Sequence, residues 1–146
     1  MRYRFLSATV AAASLFLGTT AMADGSAYKV VVNAGQATQS LTRAQAAALF
    51  LKRTTAWEQG GGVVQPVMLS GGPVRDQFCS EVLGKSSAAI STYWTRLVFA
   101  GRETPPVEKG SDDEVLAYVA VTPGAIGYVS QQAPLPSGVK AIQVID

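Results

Sequence analysis

Short β-branched runs alternate along this chain with helical segments whose starts are marked in the sequence, and few architectures other than a layered α/β one accommodate that alternation. Tyr28 to Val32 reads as a buried strand that ends at the Asn33-Ala34-Gly35 turn. Thr42-Arg43-Ala44-Gln45 matches a capping box, and the helix it opens runs to about Leu51 with Ala46, Leu49 and Phe50 on its buried face. Beyond the Gly60-Gly61-Gly62 turn, Val63 to Leu69 reads as a strand, with Pro66 arguing for an edge or an irregular start. Ser70-Gly71-Gly72-Pro73 then leads into a helix from about Val74 to Leu83, because proline suits a first helical turn where its missing N–H has no partner to lose.

Ser86 or Ser87 caps the next helix, on which Ile90, Tyr93, Trp94 and Leu97 form one apolar stripe. Arg102 to Gly110, with Pro105-Pro106, reads as a surface connection. Ser111-Asp112-Asp113-Glu114 is a second capping box whose carboxylates suit the positive end of a helix dipole, so these acids are caps and not a catalytic carboxylate pair. Val115, Leu116 and Val119 give that helix its buried face, and strands at Ile126 to Val129 and Val139 to Ile145 complete the chain.

Residues Met1 to Ala23 carry the signature of an export leader: Arg2 and Arg4, then an apolar run from Phe5 to Leu17, then Ala21-Met22-Ala23 as a cleavage site. The working domain is therefore expected over residues 24–146, periplasmic or secreted, with an uncleaved anchor as the alternative. The single cysteine, Cys79, cannot close an intrachain disulfide, so stability must come from an apolar core; a buried, inert thiol is the simpler reading of it.

Composition excludes several functions. Without Arg2 and Arg4 the basic and acidic residues balance and lie scattered, which does not fit a nucleic-acid binder that works by phosphate neutralisation. Histidine is absent, which removes the Ser-His-Asp and Cys-His nucleophiles and the usual catalytic zinc ligands. No acid/base pair stands outside the helix caps, so no catalytic residue, metal site or cofactor is expected and the chain is not read as an enzyme. Past the leader no apolar run reaches the ~20 residues of a membrane span.

The succession LTRAQAAALFLKRTTAW, VQPVML, GGPVRDQF, YWTRLVFAGRETPP, DDEVLAYVAVTPGAIGYV and VKAIQVI resembles the phosphate-binding proteins of ABC transporters, which have the type 2 periplasmic-binding fold. It is most similar to their short, single-lobe relatives. The resemblance implies an α/β fold with a mixed sheet flanked by helices over residues 24–146, and a periplasmic substrate-binding module for phosphate or another small oxyanion. It also implies a partner lobe from another chain or from a homodimer, since such receptors clamp their ligand between two lobes.

A glycine-rich turn that opens a helix offers backbone N–H groups at the positive end of the dipole, and an arginine in the first turn adds a planar fork of donors. Ser70, Gly71, Gly72 and Arg75 are the candidate ligand residues on that ground. The family's corresponding turn resembles Gly-Ser-Gly-Thr-Arg; Gly71, Gly72, Pro73, Val74 and Arg75 stand at those positions, so two hydroxyls and one backbone donor are missing while Ser70 and Arg75 remain. Two functions are compatible with these residues: an oxyanion-binding module, or a non-catalytic envelope interaction module that kept the lobe and lost the ligand, using a sheet edge or the region of Trp57.

Overall fold

The computed structural model describes residues 26–146; the leader read over Met1–Ala23 lies outside the described residues. Elements follow in the order β1 (Tyr28–Asn33), β2 (Ser40–Thr42), α1 (Arg43–Phe50), β3 (Gln65–Leu69), α2 (Pro73–Phe78), a π-helical turn (Cys79–Leu83), α3 (Ser87–Phe99), β4 (Val107–Lys109), α4 (Asp112–Val121), β5 (Ala125–Ser130) and β6 (Val139–Ile145). They form one mixed six-stranded sheet in the order β2-β6-β1-β5-β3-β4, flanked by helices, which is the α/β class expected from the sequence. Strand β1 lies antiparallel to β5 and β6, while β3 is parallel to both β4 and β5.

Local capping chemistry sets the helix starts. Both bonds of the box at Thr42 are made: Gln45 N–H donates to Thr42 Oγ1 at 3.1 Å and Thr42 N–H donates to Gln45 Oε1 at 2.9 Å. Ser86 caps α3 through Ala89 N–H. The box at Ser111 is displaced by one residue, because Glu114 N–H reaches Ser111 Oγ but the Glu114 carboxylate accepts from Gly110 N–H and not from Ser111. Asp112 instead accepts from the backbone and hydroxyl of Ser130, tying the start of α4 to the end of β5.

Two short strands were not expected. Ser40–Thr42 joins the sheet through parallel pairing with β6, and Val107–Lys109, expected as a surface connection, pairs in parallel with β3. Both are three residues long, so their order comes from partners distant in the chain and not from their own sequence. Strand β3 begins at Gln65, and Pro66 faces only β5 because pairing with β4 starts at Val67. Its missing N–H therefore costs no ladder bond on the β4 side, which is the irregular start read from the sequence; β3 is not an edge strand.

The core lies on the sheet under α1, α2 and α4. Phe78 anchors it: its ring stacks on Tyr128 at 3.9 Å and meets Phe50 and Tyr28 edge-on at 4.8 and 5.5 Å. Trp57 and Trp94 are both buried. Cys79 is fully buried next to this cluster, and burial pushes its thiol pKa up.

Burial also raises the two core phenols, Tyr28 to about 12 and Tyr128 further, with the Glu81 carboxylate adding to the shift at Tyr28. A raised folded-state pKa means stability that is whole below the ordinary tyrosine value of 10.0 and is lost as pH climbs towards the folded value. Melting temperature is thus expected to fall between about pH 10 and 12, with the Tyr28 and Tyr128 phenolates forming only as the chain unfolds; a phenolate at either of these two residues in a chain that stays folded at pH 10 would contradict it.

Candidate ligand-binding site

Strands β3, β4 and β5 run parallel, so their carboxyl ends, Leu69, Lys109 and Ser130, share one margin of the sheet. Ligands of open α/β sheets collect at such margins. The Ser70-Gly71-Gly72 turn leaves β3 there, fixed at its root by Ser70 N–H donating to the Lys109 carbonyl at 2.8 Å. All three turn residues are exposed.

Gly72 is the N-cap of α2, with φ 94° and ψ 172°. L side chains avoid that conformation, so glycine is required here and a serine in its place would be strained by ~1 to 3 kcal/mol. No side chain caps α2, and the space where a Cβ would stand on Gly71 or Gly72 is open. The first-turn N–H groups of α2 thus have no side-chain acceptor over an accessible turn, and backbone donors in this setting suit an anion.

Arg75 behaves differently from Ser70, Gly71 and Gly72. Its side chain is only 3% exposed and folds beneath the turn, where Nη1 donates to the Leu69 carbonyl at 2.7 Å and Nε to Ser87 Oγ at 2.9 Å. Glu108 pairs with Nη1 at 3.4 Å from a half-exposed position. Tyr128 closes the floor by accepting from Leu69 N–H at 3.2 Å. The guanidinium therefore braces the end of β3 against α3 and β4 and places its positive charge behind the turn. The sequence reading placed Ser87 at a helix start and Tyr128 in a strand but gave neither a part in this site, and it missed Glu108 because it missed its strand. One signal was present: Arg75, Phe78, Cys79 and Val82 stand at i, i+3, i+4 and i+7, the spacing of a buried stripe.

Asp76, in the first turn of α2, brings a carboxylate to the same end of the dipole. A cleft of about 340 Å³, lined by Leu41, Ala44, Ala48, Leu49 and Trp57 among others, sits between α1 and the loop that follows it. Trp57 is only 6% exposed and donates through Nε1 to the Gly124 carbonyl at 2.9 Å, so its ring is a core element and not a free contact surface. Among the described residues no group of His, Cys, Asp and Glu gathers to hold a metal, and no helix is long and apolar enough to cross a membrane.

Sheet order and the placement of the turn define an α/β lobe of the kind found in periplasmic binding proteins. Among solved structures the chain is similar to an ABC-type phosphate transport receptor from Vibrio cholerae, with 22% identity, a TM-score of 0.60, and coverage of 81% of this chain and 46% of that one. It is similar also to a protein from Clostridium perfringens, described as a phosphate ABC transporter substrate-binding protein and solved with bound phosphate, at 18% identity, TM-score 0.61, and 82% and 46% coverage. PstS from Borrelia burgdorferi matches at 15% identity, TM-score 0.61, and 81% and 47% coverage. The chain has the fold of a single lobe of such receptors and spans about half the length of these structures. No family sequence model matches the chain, and no curated protein matches it.

Proposed function

We propose that this chain is an exported binding module that takes a small oxyanion, phosphate first, at the Ser70-Gly71-Gly72 turn, with Arg75 supplying positive charge from beneath. The observation that carries this reading is the uncapped, open start of α2 at the carboxyl margin of the parallel strands, in a fold shared with a protein solved with bound phosphate. In this reading Met1–Ala23 is the export leader, the module works in the periplasm with a phosphate ABC transporter, and a second lobe from another chain or a second copy forms the opposite wall. Catalysis has no part in it.

A non-catalytic envelope interaction module is the second reading. The commitment of the Arg75 guanidinium to Leu69, Ser87 and Glu108 favours it, as does the Asp76 carboxylate at the same helix end. Thermal melts over phosphate, sulfate and small carboxylates separate the two. A ligand that binds only the folded state stabilises by about 2.7 kcal/mol at a hundredfold excess over Kd, a rise of several degrees for a domain of this size. Such a rise with phosphate is expected. A flat response to every anion would remove the binding module and leave the interaction module.

A further inference from the structure

Helix α3 is attached to the body by a narrow stripe, since Ile90 and Trp94 are its only buried residues. Its outer surface carries the most exposed large apolar side chain among the described residues. Phe99, at the end of the helix, is 87% exposed, Val98 beside it is half exposed, and Tyr93 and Leu97 are partly so. Between Lys85 and Arg102 the chain carries three basic residues, Lys85, Arg96 and Arg102, and no acid, whereas the rest of residues 24–146 carries seven basic and ten acidic residues. None of the three is in an ion pair among the described residues. Tyr93, Arg96 and Phe99 follow one another at i, i+3 and i+6, so an aromatic, a cation and an aromatic share a face, and Lys85, Tyr93, Arg96 and Leu97 line one shallow groove on it.

We propose that this face of α3 docks on an anionic lipid surface. A helix with cations on its polar side and an exposed aromatic side chain beside them lies in the headgroup boundary, where Phe99 leaves water while Lys85, Arg96 and Arg102 meet lipid phosphates. The charge complementarity selects an anionic surface, and the projecting ring of Phe99 fits a fluid layer that yields around it. A second copy docked through the same face would set Arg96 of one chain against the like charges of the other. The proposal rests on Phe99, Arg96 and Arg102 and not on the oxyanion turn, although Lys85 shares a groove with Asp76 of α2.

Vesicle co-sedimentation of residues 24–146, which contain the whole sheet and core, tests it. Binding to phosphatidylglycerol-containing vesicles is expected, with little on phosphatidylcholine alone and a decline as salt rises. Phe99→Ser should weaken partition by about tenfold or more, and Arg96→Gln with Arg102→Gln by about fivefold for each charge, both without a change in melting temperature because the three side chains are exposed. Excess inorganic phosphate at constant ionic strength should not displace the protein. The proposal is overturned by equal binding to neutral and anionic vesicles, by no binding to either, or by variants that bind like the parent. Competition by phosphate would place the contact at the turn, and a dimer in sedimentation velocity that Phe99→Ser dissolves, without vesicle binding, would assign the face to a second copy.

Discussion

Replacing Arg75 by alanine is expected to lower the melting temperature by about 10 °C, corresponding to ~3 kcal/mol for a domain of this size. The side chain is almost wholly buried, so its removal leaves a cavity and strips the Leu69 carbonyl and Ser87 Oγ of their donors. Glu108 contributes little to the loss, because its half-exposed carboxylate recovers solvation. Position in the first turn of α2 suggests a dispensable, ligand-facing arginine, and burial makes it a brace instead. Loss of an anion response in this variant would follow loss of the braced turn. Arg75→Met, which keeps most of the volume but none of the donors, should fall between the two. A drop of less than about 2 °C for Arg75→Ala would contradict the burial and return Arg75 to the surface.

Gly124→Ala is expected to cost about 3 to 5 kcal/mol, the sum of backbone strain and a steric overlap. Gly124 has φ +81°, and a Cβ placed on it would stand 2.2 Å from the Val63 carbonyl oxygen, a backbone atom that cannot rotate away. Its own carbonyl accepts from both Trp57 Nε1 at 2.9 Å and Gln65 N–H at 3.0 Å, so a shift that relieves the clash pulls apart the start of β3 and the seat of Trp57. Gly71→Ala is the matched control, since open space surrounds that position and its φ is unremarkable. Differential scanning calorimetry should show a large loss for Gly124→Ala and almost none for Gly71→Ala; equal melts would contradict the packing of the Thr122 to Ala125 turn.

What the sequence revealed and what it concealed divide along physical lines. Helix starts were legible because capping is local: Thr42 with Gln45 and Ser86 with Ala89 are bonds between residues three apart. Long β-branched runs were legible because Val30, Val31 and Val32 are buried whichever partner they take. Strands β2 and β4 were not, since Ser40 pairs with Gln143 and Val67 with Val107, contacts that no window of neighbours contains. At the candidate site the same division holds. The open turn at Ser70, Gly71 and Gly72 follows from glycine and proline chemistry, whereas the fate of the Arg75 guanidinium depends on Ser87 and Glu108, brought to it by α3 and β4. The positive φ of Gly72 directs hydroxyl restoration to Gly71→Ser with Val74→Thr, which adds donors without backbone strain.

Amide chemical shifts followed by NMR during a phosphate titration test the anion site most directly, because they report the turn itself and not global stability. Saturable shifts are expected at the amides of Gly71, Gly72 and Val74, smaller ones at Arg75, and none at Pro73, which has no amide proton. Sulfate at the same ionic strength should compete for the same amides. Phosphate-induced shifts confined to other parts of the molecule, or none at all in a folded chain, would contradict oxyanion binding at this turn.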